Sequence, residues 1–112
     1  MPEVENPKRY DLEERTLEFA KKILEFVNNL PKTTANIELG KQLMRSGGSI
    51  GANYIEANES LSKKDFIMHI KICRKEAKET RYWLKILDEK GTLTQEASEL
   101  TKIFGSILEK SK

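Results

Sequence analysis

Seven basic residues, Lys64, Lys71, Arg74, Lys75, Lys78, Arg81 and Lys85, recur at helical spacing. Plotted at about 100° per residue they form one stripe roughly 100° wide. Such a stripe suits a phosphate backbone, because each neutralised phosphate releases condensed counterions, which makes RNA or DNA the candidate partner. It also suits a solvated helix face with local ion pairs, for example Glu79 near Lys75 and Lys78. The positive charge is local: residues 61–90 hold nine basic and five acidic side chains, whereas residues 1–60 hold eight and ten, and residues 91–112 hold three and three.

A second constellation is a polar row inside an apolar segment. Arg45, Ser49 and Glu56 lie within roughly 40° of one another on a helical wheel, with Asn53 at the edge near the core face. The row reads as a structural motif that sets helix register, with Arg45 and Glu56 placed to ion-pair along or between helices. It makes a poor catalytic set, because no histidine is near in sequence and no nucleophile–base pair is present. His69 reads as a hydrogen-bonded packing residue at a core edge. Cys73 reads as a small core filler whose thiol is made inert by burial. A metal site built from helical glutamates would show Glu-x-x-His pairs, but Phe66 stands three positions before His69. The Gly47–Gly51 cluster is no phosphate loop, since no strand precedes it and no Lys-Ser/Thr follows. The expectation is therefore no catalytic residue, no metal, no cofactor and no enzymatic activity.

The elements that position these residues follow from periodicity and breakers. Prolines occur at positions 2, 7 and 31 and nowhere after, so nothing from residue 32 onward forbids a helix. Residues 1–10 read as a flexible tail, and residues 11–112 as one domain. A first helix is predicted over about 11–30, capped by Asp11 with Glu14 closing a capping box. Its apolar stripe is Leu12, Phe19, Ala20, Ile23, Phe26, Val27 and Leu30. A second is predicted over about 34–58, with Leu39, Leu43, Gly47, Ile50, Tyr54 and Ala57 on one face. The glycines at 47, 48 and 51 do not shift the apolar phase, and they mark close backbone approach by a neighbour. A third is predicted over about 62–90, capped by Ser62 with Asp65 and stopped by Gly91; Phe66, Ile70, Cys73, Ala77, Leu84 and Leu87 form its core stripe. A fourth is predicted over about 94–110. Short links between four amphipathic helices give an all-α, antiparallel, up-down-up-down four-helix bundle, with the middle two helices longest.

Composition sets the outer limits. The chain has 112 residues with a net charge of +2, 34% of them charged and 38% apolar. That is one domain with a small core. The longest apolar runs are three residues, so no transmembrane span is expected. The charged N-terminal segment is unlike a secretory signal. A single cysteine excludes an internal disulfide and makes the cytoplasm the expected compartment.

The third helix carries a second apolar stripe, Met68, Ile72, Trp83 and Ile86, beside its core stripe. The Met44, Gly48, Gly51, Ile55 face of the second helix is similar. These eight residues are the candidates for an oligomer interface, either as a self-association surface, since most soluble oligomers are homo-oligomers, or simply as a wide core face.

The run Arg45-Ser46-Gly47-Gly48-Ser49-Ile50-Gly51-Ala52-Asn53-Tyr54-Ile55-Glu56-Ala57 resembles the Arg-Ser-x-x-Ser-Ile-x-x-Asn-x-x-Glu-Gly/Ala signature of bacterial four-helix bundle proteins called 23S rRNA intervening-sequence proteins. Lys64-Asp65-Phe66 and the run from Lys75 to Leu84 look like the third helix of that family. The similarity covers about residues 10–110, with Ala57 where many members have Gly. The resemblance implies an up-down-up-down bundle, a homopentamer, and a gene in some cases placed in sequences that interrupt large-subunit ribosomal RNA genes. That is a genomic address rather than an activity. A similar bundle serves as the nucleic-acid-binding accessory protein of diversity-generating retroelements. The function expected is thus a non-enzymatic nucleic-acid-binding or ribonucleoprotein accessory module, with a protein-interaction scaffold as the alternative.

Overall fold

Four helices form: α1 (Pro7–Asn28), α2 (Thr34–Asn58), α3 (Lys63–Ile86) and α4 (Thr92–Lys110). The structure is a computed structural model that describes the backbone of residues 7–112 and the side chains from residue 11 onward. Neighbours in the chain pack side by side: α2 against α1 and α3, and α3 against α2 and α4, with only a sparse contact between α1 and α4. The result is an all-α four-helix bundle of 46 × 29 × 21 Å. Among the described residues no helix is long and apolar enough to cross a membrane.

The inward positions are those of the apolar stripes. Phe19, Ile23, Leu43, Ile50, Ile70, Cys73, Ala77, Leu84, Ala97, Leu100 and Phe104 are essentially without solvent exposure. The Tyr54 and Phe104 rings meet at 5.8 Å and join α2 to α4 across the core. Burial of a Leu, Ile or Phe side chain contributes about 1.5–3 kcal/mol each, so this short list is the principal source of stability. Three hydroxyls are buried with it. Thr80 donates to the Glu76 carbonyl at 2.7 Å, and its Oγ1 is hydrogen-bonded to the Ser46 hydroxyl at 2.9 Å, which ties α3 to α2. Thr16 donates to the Leu12 carbonyl at 2.7 Å.

Helix boundaries differ from expectation in instructive places. α1 begins at Pro7 rather than Asp11, since proline in a first turn gives up an N–H that would have had no partner. Asp11 therefore lies inside the helix and does not cap it, and residues 7–10 are not tail; the tail reading over residues 1–6 lies outside the described residues. Thr33 and Ser62 cap α2 and α3 by accepting from the backbone N–H of Asn36 and Asp65, both at 3.1 Å. α3 stops at Ile86, so α2 alone is the longest helix. The stop is Asp88, not Gly91. Asp88 has φ 61°, and the bonds Asp88 N–H to Lys85 O and Glu89 N–H to Leu84 O complete a left-handed helix ending. Gly91 instead precedes α4, which has no side-chain cap of its own. Glu89 takes that role, accepting from Thr94 N–H at 2.9 Å and Thr94 Oγ1 at 2.6 Å.

The glycines of α2 serve α1. A Cβ at Gly47 would stand 3.3 Å from Ile23 Cγ atoms, and one at Gly51 would stand 2.9 Å from Thr16 Oγ1 and 3.2 Å from Thr16 Cβ. Gly48 faces open space. Where α1 and α4 stand apart, Arg15 spans the gap with two parallel bonds to Glu96, at 2.7 and 2.8 Å, and one to Glu99 at 3.1 Å.

Two outcomes follow. Gly51→Ala forces Thr16 aside and lowers unfolding free energy by about 1–3 kcal/mol in urea denaturation, despite the better helix propensity of alanine. Burial pushes the Glu89 carboxyl up, but hydrogen bonds from the Thr94 hydroxyl and from the backbone of Thr94, Leu93 and Gly91 outweigh it and hold it below the ordinary carboxylate range. Its contribution is complete above the unfolded carboxylate pKa of about 4.3 and is lost as pH falls through the depressed folded value. Glu89→Gln should therefore lower the urea midpoint at neutral pH, and the gap to the parent should close on acidification.

Candidate nucleic-acid interface

Because Ile70, Cys73, Ala77, Thr80 and Leu84 face inward, the opposite side of α3 faces out. Lys64, Lys71, Arg74, Lys75, Lys78, Arg81 and Lys85 are all exposed on α3. Of these seven, only Lys75 has an ion pair among the described residues, with Glu76 at 3.7 Å. The expected pairing of Glu79 with Lys75 or Lys78 does not form, because Glu79 is turned toward α2. The strip therefore carries largely uncompensated positive charge.

The edge of the strip toward α4 is a furrow. Arg74 runs beside Gly105, where a Cβ would lie 3.7 Å from its Nε. Lys78 and Arg81 line a cleft of about 440 Å³ with Gln95, Ser98, Thr101 and Lys102. Lys102 thus joins the basic surface from a different helix. Nothing in the charge-balanced C-terminal segment marked it; only the packing of α4 on α3 places it there.

The edge toward α2 is anchored by Arg45. Its Nη1 bonds Glu76 Oε1 at 3.2 Å and its Nη2 bonds Glu79 Oε2. Glu79 Oε2 also accepts from Trp83 Nε1 at 2.9 Å. The Glu76 side chain is only 7% exposed, against 49% for Arg45. The proposed Arg45–Glu56 pair is not made within the chain. Eleven residues along a helix is about 16 Å, too far for the two side chains, while α3 presents Glu76 and Glu79 directly across the seam. Glu56 is exposed and has no side-chain partner among the described residues. The rest of the polar row is a separate network: Asn53 Nδ2 donates to Ser49 O and Ser49 Oγ, both at 2.9 Å, and Asn53 Oδ1 lies 3.4 Å from His69 Nδ1.

His69 is half-buried and hydrogen-bonded, as the sequence predicts. Burial pushes the Cys73 thiol up to about 12, and its Sγ–H points at the Ile50 carbonyl 3.4 Å away. A thiol held in that state is a poor nucleophile at neutral pH. Among the described residues no three His, Cys, Asp or Glu side chains gather as metal ligands.

The oligomer candidates separate into groups. Met68, Ile86 and Ile55 are exposed, and Gly48 is open. Ile72 is half-buried, and Met44 and Trp83 pack against the core. Gly51 is half-buried and lies against Thr16 of α1 within the chain. Sequence reasoning also passed over Leu17, Leu24, Ile37 and Tyr82, which are exposed apolar or aromatic side chains. The signal was available in α1, where Leu17 and Leu24 lie one heptad apart outside the core stripe.

Residues 8–110 match the family model described as 23S rRNA-intervening sequence protein. The chain belongs to that family. A crystal structure of a protein with unknown function from the S23 ribosomal protein family, from Bacteroides thetaiotaomicron VPI-5482, is 35% identical, with a TM-score of 0.80 over 91% of this chain and 98% of that one. No curated protein matches the chain. In this member of the intervening-sequence family, the signature residues Arg45 and Asn53 reach across the α2–α3 seam, and Ser49 holds Asn53 within α2.

Removing Arg45 leaves the Glu76 carboxylate buried without its cation. Arg45→Ala should cost about 1–3 kcal/mol. In a double-mutant cycle, adding Glu76→Gln should recover part of that loss. The emission of Trp83, the sole tryptophan, should shift to the red as its Glu79 anchor loosens.

Proposed function

We propose that this chain is a non-enzymatic, homo-oligomeric bundle of the cytoplasm that binds nucleic acid through the outward strip of α3. The observation that carries the reading is the row of exposed, unpaired cations on α3. Lys64, Lys71, Arg74, Lys78, Arg81 and Lys85 have no carboxylate partner among the described residues, and Lys102 extends the surface. A solvated face with local pairing would have matched these charges. The family resemblance supports an antiparallel up-down-up-down course, with links of four or five residues between helices. It also supports a homopentamer and a kinship in fold with the accessory protein of diversity-generating retroelements. A ring of identical subunits would repeat a modest basic strip and raise its avidity without a new contact. The net charge of +2 is then no obstacle, because the strip and not the whole surface does the binding. Family names that refer to ribosomal RNA genes fit a ribonucleoprotein accessory role.

A protein-docking scaffold is the second reading, favoured by the exposed Met68 and Ile86 on α3.

The test is fluorescence anisotropy with labelled RNA and DNA at low and physiological salt, on protein of known solution mass. Affinity should fall steeply with salt. Charge reversal at Lys71, Lys75 and Lys78 should weaken binding and flatten the salt dependence by about three phosphate contacts, with the thermal melt unchanged. Failure of the parent protein to bind even at low salt overturns the reading and leaves the scaffold.

A further inference from the structure

We infer that the nucleic acid taken by α3 is single-stranded, with a base stacked on Tyr82; this rests on the nucleic-acid reading above. Tyr82 is 59% exposed, and it sits within the basic strip, toward the edge that borders the exposed Met68 and Ile86. On an ideal helix Lys64, Lys71, Lys75, Lys78 and Lys85 all project within roughly 60° of it. Lys75 and Lys78 lie two turns and one turn before it, and Lys85 lies one turn after. An aromatic side chain set among cations in this way is the pattern of a single-strand platform, in which the cations track phosphates and the ring takes a base.

The ring is exposed without being loose. It meets Trp83 edge-on, with centroids 5.1 Å apart and planes at 67°. Trp83 packs against the core and is tethered by its indole N–H to Glu79, which Arg45 holds from α2. A chain of contacts from Arg45 through Glu79 and Trp83 thus braces Tyr82 from behind. A braced ring loses less conformational freedom on binding than a free one. The Tyr82 hydroxyl has no hydrogen-bond partner among the described residues, so the core does not account for the residue.

The choice between strand forms follows from what each form offers. In a duplex the bases are already stacked on one another, and a cationic strip needs only phosphates. An aromatic platform has a use only where unstacked bases present their faces.

The experiment uses the full chain and an adenine-rich RNA of roughly 12 nucleotides, free or annealed to its complement. Tyr82→Ala should weaken single-strand binding about tenfold and leave duplex binding within about twofold. Tyr82→Phe, which keeps the ring, should bind the single strand like the parent. Trp83 emission should be quenched by the single strand. Circular dichroism melts and solution mass verify that both variants fold and assemble. Unchanged single-strand binding by Tyr82→Ala overturns the inference, as does an equal loss for both strand forms or a changed mass that places Tyr82 in a subunit contact. Those results leave the cationic strip standing. If the Lys71, Lys75 and Lys78 reversal leaves both strand forms bound as before, the nucleic-acid reading falls and this inference with it.

Discussion

The Glu76 carboxylate lies almost wholly out of water on the inner flank of α3, and a cation must accompany it there. Leaving a buried carboxylate without a partner is far more costly than the modest gain of an exposed ion pair. Arg45 supplies that cation from α2, and the rotational setting that core packing gives α3 must satisfy this pair. With Glu76 turned toward α2, the Thr80 hydroxyl meets Ser46, Glu79 comes within reach of the same guanidinium, and Trp83 closes on Glu79. The opposite side of α3 is then obliged to face solvent, and that side holds the lysines. The structural pair on one flank and the display of charge on the other thus share one setting of α3.

The other seams depend on smaller devices. Glycines at 40, 47 and 51 let α2 lie close along α1, against Val27, Ile23 and Thr16. The α1–α4 seam has no comparable closeness. It is held at Arg15, whose planar fork matches the Glu96 carboxylate with two parallel bonds. Beside Arg15 a cleft of about 450 Å³ remains, lined by Leu12, Tyr54, Phe66, Ile103 and Ile107 among others. The α3–α4 turn uses two acidic residues in succession. Asp88 adopts the left-handed conformation that ends one helix, and Glu89 accepts the orphan N–H groups that begin the next.

Much of this was legible beforehand. The four helices, the inward residues from Phe19 to Phe104 and the caps at Thr33 and Ser62 arise from spacing and local chemistry. The same is true of the exposed run Lys64 to Lys85, since side chains three, four and seven apart share a face on any α-helix. Errors cluster where a residue has two compatible roles. Gly91 had the composition of a helix stop, yet Asp88 bends the chain first. Gly51 stood among the oligomer candidates as a place where another helix could come close, and within the chain the helix that does so is α1, through Thr16.

The sequence by itself determined that the chain forms helices, which residues each one buries, and that one helix carries its cations in a strip. Each of these depends only on the backbone period and on residues a few positions apart. The tertiary structure alone decided that Arg45 meets Glu76 and Glu79 rather than Glu56. It also brought Lys102 beside Lys78 and Arg81, and left Tyr82 braced but uncovered. Such contacts depend on how far one helix is rotated and slid against another. Packing of the whole core sets those offsets, and no local period encodes them.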